Sequence, residues 1–497
     1  MLLNEIPTDI LILVLRRSRW PAGGGSEQNA FLRSLGLLAV CRQWRHLALP
    51  LVYGTAYIEH NTTTKPDTKS KRVGMATNVG LAAAIGCIHV VRRVAITVRY
   101  LDSPLPGLGA AIEQLRAAAA EWTGVRALQL TLIPATATSF GQRGTDGGPQ
   151  TSDPDTAADA LAALLPAVRH LQVAAPNQCV TARALFGRLA GCYAGQLLVL
   201  RSRCPIAVPD DRMFAVLRDV VLCGAKDHNN QLPHMNPDCI ERLKLTGFPA
   251  THPWAAFATN ADSPMIELPR LRRIDAVYAS TPHYSNERRY SLCFPALDRL
   301  AVTCFGAECP LLETMVLPQR MRAVSITAGA PVFRSIASAV LPAAKRLQLQ
   351  VDLQPMSDPA ALAAVNQVLT SAPASAHKEL HIKDDSLLVL PSTITCSDLT
   401  RLVVAAPTSM DGVLGLIRNL PSLTSLAINT LTLDDIHPDT ELLATEAHAP
   451  LATCICELAL GFSRRQYSPE LAATAAILLA LKTPALSRLC TRQLPHD

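Results

Sequence analysis

Three aspartates and a histidine in the segment Asp434–Asp439 come nearest to the residue types and spacing of a metal site. Carboxylate and imidazole groups are common ligands of divalent cations. A calcium-binding loop also needs a central glycine and a closing glutamate, and this segment has neither at the required position. We therefore predict an exposed loop between structural repeats, with no metal ion.

The 14 cysteines give no zinc or redox motif. The closest pair, Cys454 and Cys456, is separated by one residue, so the Cys-x-x-Cys spacing is absent. His448 lies nearby, but three loosely spaced side chains do not make a zinc-ligand pattern. Dispersed cysteines are typical of core residues in a reducing compartment.

The motifs of common hydrolases and nucleotide-binding proteins are also absent. The sequence has no Gly-x-Ser-x-Gly, His-Glu-x-x-His, Gly-x-x-x-x-Gly-Lys or Gly-x-Gly-x-x-Gly. We therefore expect no catalytic residue and no cofactor, and we favour a function in binding.

Basic residues recur within short apolar segments in the second half of the chain. On the exposed face of strands, such residues could bind an acidic surface of a protein target. Exposed strand positions are polar by default, which is the simpler explanation. The candidate target-binding residues are Arg242, Lys244, Arg272, Arg299, Arg322, Arg346 and Arg401. Arg273, Gln348, His381 and Arg488 share the pattern.

These residues belong to a unit that recurs from Val91 onward, in which an anchor residue is usually followed by apolar residues at +3 and +5. Ile240-Leu243-Leu245 is a good copy. The mean spacing of the anchors is about 28 residues, and regular leucine-rich repeats have ~20–29. The anchors are Val91, Val125, Val168, Gly195, Leu217, Ile240, Leu271, Leu297, Met321, Ala344, His377, Leu399, Leu423, Ile455 and Leu486.

Proline stands two residues before six of these anchors, where it would end a helix and favour an extended segment. The six are Pro166, Pro269, Pro295, Pro342, Pro421 and Pro484. Helix-like stretches between the strands include 181–194, 332–340, 360–369, 410–420 and 469–482. This rhythm predicts an irregular leucine-rich-repeat solenoid with parallel strands inside, helices outside and a loop insertion at about 134–156. A layered α/β domain is the alternative.

The overall composition favours a folded protein. Of the 497 residues, 49% are apolar and 17% are charged, which excludes a mainly disordered chain. The net charge of +6 and the aromatic content of 4% argue against nucleic acid as a partner. The longest apolar stretches have about 11 residues, fewer than the ~18–20 of a membrane span. We therefore expect no membrane partner and a cytoplasmic or nuclear location.

The first sixty residues predict two short apolar helices. Pro7 suits the first turn of a helix that carries Ile10 and Val14, and Trp44 lies on the apolar stripe of the second. A glycine-rich stretch at 21–29 separates them. The first helix is apolar nearly all round, so a partner or the rest of the chain must cover it.

Residues 4–58 resemble an F-box. The segments Ile6-Pro7-x-x-Ile10-Leu11, Val40-Cys41-Arg42-x-Trp44-Arg45 and Leu49-Pro50-Leu51-Val52-Tyr53 follow the order of that family. The glycine-rich insert departs from the family, which normally has a short loop there. The resemblance implies docking on the Skp-type adaptor of a cullin–RING ubiquitin ligase. The adaptor-binding or module-core residues that it implies are Ile6, Pro7, Ile10, Leu11, Val14, Leu38, Val40, Cys41 and Trp44.

The expected fold class is α/β. We predict a small N-terminal helical F-box module at 1–58, a polar linker at 59–80 and a degenerate leucine-rich-repeat-like array at 81–497. The leading functional hypothesis is a non-enzymatic substrate receptor of an SCF-type ubiquitin ligase, with a Skp-type adaptor, a cullin and an unknown protein target as partners. The alternatives are an interaction scaffold outside ubiquitination and an enzyme with an unrecognised site.

Overall fold

Strands recur along most of the chain in the computed structural model. The chain divides into two units, residues 1–240 and residues 241–497, and most strand pairs within each unit are parallel. The structure describes residues 49, 53–61, 75–100, 103–134, 153–177, 179–208, 212–224, 232–248, 254, 257, 265–278, 291–304, 309, 311–312, 315–316, 318–336, 343–353, 359–372, 377–384, 396–432, 454–462, 483 and 485–493.

The strands of the first unit are β1 (Thr55–Asn61), β2 (Ala76–Thr77), β3 (Arg93–Tyr100), β4 (Ala127–Pro134), β5 (His170–Ala174), β6 (Val199–Ser202), β7 (Met213–Phe214), β8 (Asp219–Cys223) and β9 (His234–Met235). The main sheet has the order β2-β1-β3-β4-β5-β6-β8. Strand β2 is antiparallel to β1 and the other pairs are parallel. Strands β7 and β9 form a separate parallel pair.

The helices of the first unit connect its parallel strands. They are α1 (Val79–Ala84), α2 (Leu105–Ala118), α3 (Pro154–Leu164) and α4 (Val180–Cys192), with a 3-10 turn at Ile88–Val90. Helix α2 packs against β1 and β3 and buries Leu108 and Leu115. Pro154 is the first residue of α3, and the Asp153 carboxylate accepts a hydrogen bond from the backbone N–H of Asp155. Both features are usual at a helix start.

The strands of the second unit are β10 (Arg242–Phe248), β11 (Met265–Glu267), β12 (Arg273–Tyr278), β13 (Ser291–Cys293), β14 (Arg299–Cys304), β15 (Met315–Val316), β16 (Arg320–Gly329), β17 (Ala343–Leu353), β18 (His377–Asp384), β19 (Leu399–Ser409), β20 (Ser425–Thr432), β21 (Glu457–Phe462) and β22 (Arg488–Gln493). The main sheet is parallel, with the order β10-β12-β14-β16-β17-β18-β19-β20-β21-β22. Strands β11, β13 and β15 form a second parallel sheet.

Helices lie between strands in the second unit as well. They are α5 (Ala330–Ile336), α6 (Pro359–Ser371) and α7 (Met410–Asn419). Helix α5 packs against β16, β17 and α6, and α7 packs against β19. Phe333, Leu369 and Ile417 are buried. The α/β fold class is confirmed, and parallel strands joined by helices are compatible with a repeat solenoid.

The apolar +3 and +5 residues of the repeat form the core. In the first unit Val94, Leu128, Leu171, Leu200 and Val220 align across neighbouring strands, and all are buried. In the second unit Leu243, Ile274, Leu300, Val324 and Leu347 do the same. Paired residues of parallel strands face the same side of a sheet, so each row buries apolar surface continuously from strand to strand.

A hydrogen-bonded turn precedes many of the strands and explains the recurring proline. The backbone N–H of Leu271 donates to the carbonyl of Leu268, and Leu423 donates likewise to Leu420. Proline at the second position of such a turn already has the required backbone angle, and Pro269 and Pro421 stand there. Both ends of each turn are buried, so the turn anchors the strand to the core.

Two of the predicted anchor residues are not buried in the structure. Gly195 is exposed, and Leu197, two residues later, is the buried anchor. His377 is exposed although Leu380 and Ile382 behind it are buried. The cause in the first case is a tight turn after α4, in which the N–H of Leu197 bonds to the carbonyl of Tyr193.

The sheet also begins earlier than the expected array. Strand β1 contains the expected boundary at residue 58 and pairs with β3 along its whole length. Strand β2 and the start of α1 lie within the expected linker at 59–80. Of the expected loop insertion at 134–156, residues 135–152 lie outside the described residues, as does the expected helix at 469–482.

Candidate functional site

The exposed face of the main sheet in the second unit carries a row of arginines. Register aligns Arg242, Arg273, Arg299, Ala323 and Arg346 on the consecutive strands β10, β12, β14, β16 and β17. These side chains alternate with buried apolar residues and therefore point away from the core. Strands lie ~4.8 Å apart, so the row spans about 19 Å. We call Arg242, Arg273, Arg299 and Arg346 the arginine row.

Acidic side chains neutralise this row only in part. Nη2 of Arg273 lies 2.9 Å from Oδ2 of Asp275 on the same strand. Nε of Arg299 is 4.0 Å from Asp298, at the limit of an ion pair. Arg242 and Lys244 are exposed and have no ion pair within the described part of the chain. The face at β10–β14 therefore carries surplus positive charge.

At the far end of the row, Glu379 of β18 is enclosed by two arginines and a histidine. Nη2 of Arg346 donates to its two carboxylate oxygens at 3.0 and 3.2 Å. Nε2 of His377 is 3.1 Å and Nη1 of Arg401 is 3.8 Å from Oε1. The Glu379 side chain is 3% exposed, whereas those of Arg346 and Arg401 are 53% and 45% exposed. We call Arg346, His377, Glu379 and Arg401 the Glu379 cluster.

The surroundings of Glu379 keep it ionised. Burial alone would raise the pKa of its carboxyl group, but the hydrogen bond and charge of Arg346, with Arg401 and His377, outweigh burial. Its pKa therefore lies below the ordinary value of a glutamate. The buried carboxylate can thus hold two guanidinium groups in place while their outer N–H groups face solvent.

Hydrogen bonds also orient the His377 ring. The Thr400 hydroxyl donates to the carbonyl of Lys378 at 2.7 Å and lies 3.0 Å from Nδ1 of His377. The other ring nitrogen, Nε2, lies 3.1 Å from the Glu379 carboxylate. These two contacts fix the orientation of the ring beside Glu379.

His381, two residues beyond Glu379, has a different environment. Burial lowers the pKa of its imidazole; the charge of Glu379 opposes this shift, and Arg401 and Arg346 reinforce it. Its Nε2 is buried without a hydrogen-bond partner among the described residues. We therefore expect the His381 imidazole to be neutral, so that it adds no positive charge to the exposed face of the sheet.

The structure separates the predicted target-binding residues into two groups. Arg242, Lys244, Arg299, Arg346 and Arg401 lie at outward positions of the sheet. Arg272 and Arg322 are exposed but stand one residue before the row, because Arg273 and Ala323 are the residues paired with Arg299.

In the first unit, two arginines that stand immediately before a strand, as Arg272 does in the second, hold backbone turns in place. Nη1 of Arg92 donates to the carbonyl of His89 at 2.9 Å, and Nη1 of Arg126 donates to that of Ala167 at 3.3 Å. His89 lies in the 3-10 turn before β3, and Ala167 lies in the turn before β5. A basic residue at this position is therefore a weaker indication of binding than one in the row.

The strand face of the first unit is more evenly balanced. Nη2 of Arg201 lies 2.7 Å from Asp219 on the neighbouring strand. Arg93 donates to the side-chain oxygen of Gln129. The described strands of the first unit carry no comparable row of arginines on adjacent strands.

Sequence reasoning missed Glu379 and its role. The signal was present, since His377, Lys378, Glu379 and His381 interrupt an apolar strand pattern. Charged residues inside such a pattern are costly unless they have partners. The implied adaptor-binding residues, Ile6 to Trp44, lie outside the described residues.

Other kinds of site were sought in the described part of the chain. There, no cluster of three or more His, Cys, Asp or Glu side chains could hold a metal ion. All cysteines of this part are free, and Cys87, Cys204, Cys304, Cys309 and Cys396 are buried. No helix of this part combines the length and apolar character needed to cross a membrane. The segment Asp434–Asp439 lies outside it.

A scan against protein-family models and a search of curated proteins found no match to this chain.

Proposed function

We propose that the chain is a non-enzymatic substrate receptor of an SCF-type cullin–RING ubiquitin ligase. Residues 4–58 would dock on a Skp-type adaptor, and the strand face of residues 241–497 would hold a protein target. Ubiquitin transfer would belong to other subunits, so this chain would contribute proximity and orientation.

The order of the N-terminal motifs carries this proposal. Three segments follow one another within sixty residues: a predicted apolar helix with Ile10 and Val14, the motif Val40-Cys41-Arg42-x-Trp44, and an apolar-Pro-x-x-Tyr tail. Each motif is common, but their combination resembles an F-box. The basic strand face supports the second half of the proposal, since an exposed, partly neutralised surface suits a protein partner.

Affinity capture of the full chain tests the docking step. We expect the wild-type chain to recover a Skp-type adaptor and a cullin, and the Ile10→Ala/Val14→Ala/Trp44→Ala variant to recover at least tenfold less, because large buried side chains dominate such interfaces. A matched control, Arg242→Gln/Arg299→Gln, should recover both as the wild type does. Failure of the wild-type chain to recover an adaptor would refute the docking role.

An interaction scaffold outside ubiquitination is the alternative, since it needs only the strand face. Target half-life after deletion of the chain separates the two. If the chain is a ligase subunit, proteins that bind the strand face of residues 241–497 should be degraded several-fold more slowly after the deletion than before it. Unchanged half-lives would favour the scaffold.

A further inference from the structure

We propose that the arginine row and the Glu379 cluster bind a carboxylate-rich, extended segment of a protein target. This inference depends on the proposed function only in that the bound partner is a protein. It concerns the second unit alone and makes no use of the adaptor.

The spacing of the row fits an extended acidic peptide. Arg242, Arg273 and Arg299 stand on adjacent strands, and Arg346 follows two strands later. The span of about 19 Å corresponds to about six residues of extended chain at ~3.3 Å each. Alternate side chains of such a peptide face the same side, so acidic residues at every second position could reach successive arginines.

The charge arrangement favours anions along most of the row. Arg242 and Lys244 are exposed without an ion pair in the described residues, and Arg299 has only a distant one. Arg346 and Arg401 share one carboxylate and remain about half exposed. Guanidinium groups held in a fixed orientation bind carboxylates through paired hydrogen bonds at a lower entropic cost than mobile ones.

The face is less suited to nucleic acid. The outward positions aligned with the row and with Lys244 are Asp275, Ala301, Ala323, Ser325, Gln348, His377 and Glu379. None is Phe, Tyr or Trp, and the His377 ring is already held by Glu379 and Thr400, so bases would lack a large aromatic stacking surface. Asp275 and Glu379 would repel a continuous phosphate backbone, whereas a peptide can place neutral residues opposite them.

Fluorescence anisotropy with the full chain tests the proposal. The probe is a labelled twelve-residue peptide of alternating Glu and Ser, and the control peptide has Gln in place of Glu. We expect saturable binding of the acidic peptide, weakened at least tenfold between 50 and 300 mM NaCl, and no measurable binding of the control peptide. Equal binding of both peptides, or tighter binding of single-stranded RNA than of the acidic peptide, would overturn the proposal.

Variants locate the binding on the row. Arg242→Gln/Arg299→Gln should weaken binding of the acidic peptide about tenfold, because it removes two cations from the row. The control Arg116→Gln/Arg418→Gln removes the same charge from exposed helix positions and should bind as the wild type does. Ala323→Arg fills the gap in the row and should tighten binding several-fold. A loss shared equally by the row and helix variants, or no gain from Ala323→Arg, would contradict the assignment.

The peptide-binding experiment and the adaptor-capture experiment test the two proposals separately. Peptide binding without adaptor recovery would leave the row as a binding site and remove the ligase role. Adaptor recovery without peptide binding would leave the docking role and remove the acidic-segment proposal.

Discussion

Lys378 and Glu379 are adjacent residues of β18, and both charged side chains are buried on opposite sides of the sheet. Nζ of Lys378 donates to the carbonyls of Leu369 and Ala372 at 2.6 and 2.9 Å, and to the Asp398 carboxylate at 2.7 Å. The ammonium group thereby satisfies carbonyls at the C-terminal end of α6, where a cation is favourable. Both residues thus have the partners that buried charges need.

Lys378→Met should destabilise the chain by about 3–5 kcal/mol, because it leaves a carboxylate and two carbonyls without their donor. The same substitution at Lys383, an exposed residue of the same strand, should change the free energy of unfolding by less than ~0.5 kcal/mol. Urea denaturation of both variants measures the difference. Equal stabilities would mean that the buried ammonium is dispensable.

Glu379→Gln should destabilise the chain by about 1–2 kcal/mol at pH 7, since the guanidinium partners are half exposed and keep part of their hydration. The pKa of Glu379 is lowered in the folded chain, so its stabilisation is present above the unfolded value of ~4.3 and is lost as the pH falls through the folded pKa. The difference from wild type should therefore shrink below about pH 4 in urea titrations.

The control for this pH experiment is Glu457→Gln. Its carboxylate is 53% exposed and 3.9 Å from Arg488, so the change should be below ~0.5 kcal/mol at every pH. A Glu379→Gln difference that stays constant from pH 7 to pH 3 would show that the carboxylate charge is not what stabilises this cluster.

At the scale of elements, each repeat combines a turn, a strand and in many cases a helix. The sequence predicted four helices closely: α4, α5, α6 and α7 lie within the expected stretches to within a few residues, with residues 337–340 outside the described part. The strand triplets were also predictable, because a period of two with one buried face determines which residues turn inward. The same alternation turns the residues at +2 and +4 outward, but it does not show where a strand begins, so the sequence also assigned Arg272 at +1 to this face although β12 begins at Arg273.

Helix α4 lies very close to the backbone of Ala207 at Gly187, and a substitution there tests this close approach. A Cβ built there would lie 1.7 Å from the carbonyl oxygen of Ala207, which is backbone and cannot rotate away. Gly187→Ala should therefore cost several kcal/mol, as overpacking does. Gly109→Ala is the matched control: it lies within α2 with nothing within 4 Å of the added Cβ, and it should stabilise by about 0.5–1 kcal/mol. Thermal unfolding that ranks the two variants in the opposite order would contradict this packing.

At the scale of the whole molecule, apolar burial stabilises the described part of the chain, in which no disulfide is formed. The cysteines of the described residues are free, and several are buried next to apolar neighbours. Burial raises the pKa of the Cys204 thiol to about 11 and, with Asp398, that of Cys396 to about 12. Such thiols react slowly because thiolate is the reactive form.

Thiol titration with an aromatic disulfide reagent should therefore show two stages. Exposed thiols such as Cys454 should react first in the native chain, and unfolding in guanidinium should release the remainder. Cys454→Ser should reduce the fast stage and Cys204→Ser should not. A rise in the total after reductant would reveal a disulfide and contradict the picture of free thiols.

The sequence by itself determined the α/β class, the parallel strands and most of the core, because apolar periodicity and turn prolines are local signals that tertiary contacts reinforce. It could not determine the Glu379 cluster, because Arg346, Glu379 and Arg401 come from β17, β18 and β19 and meet only through strand register. The same holds for the arginine row, because only register aligns Arg242, Arg273, Arg299 and Arg346 across the sheet. Register depends on packing across strands far apart in the chain, and only the tertiary structure supplies it.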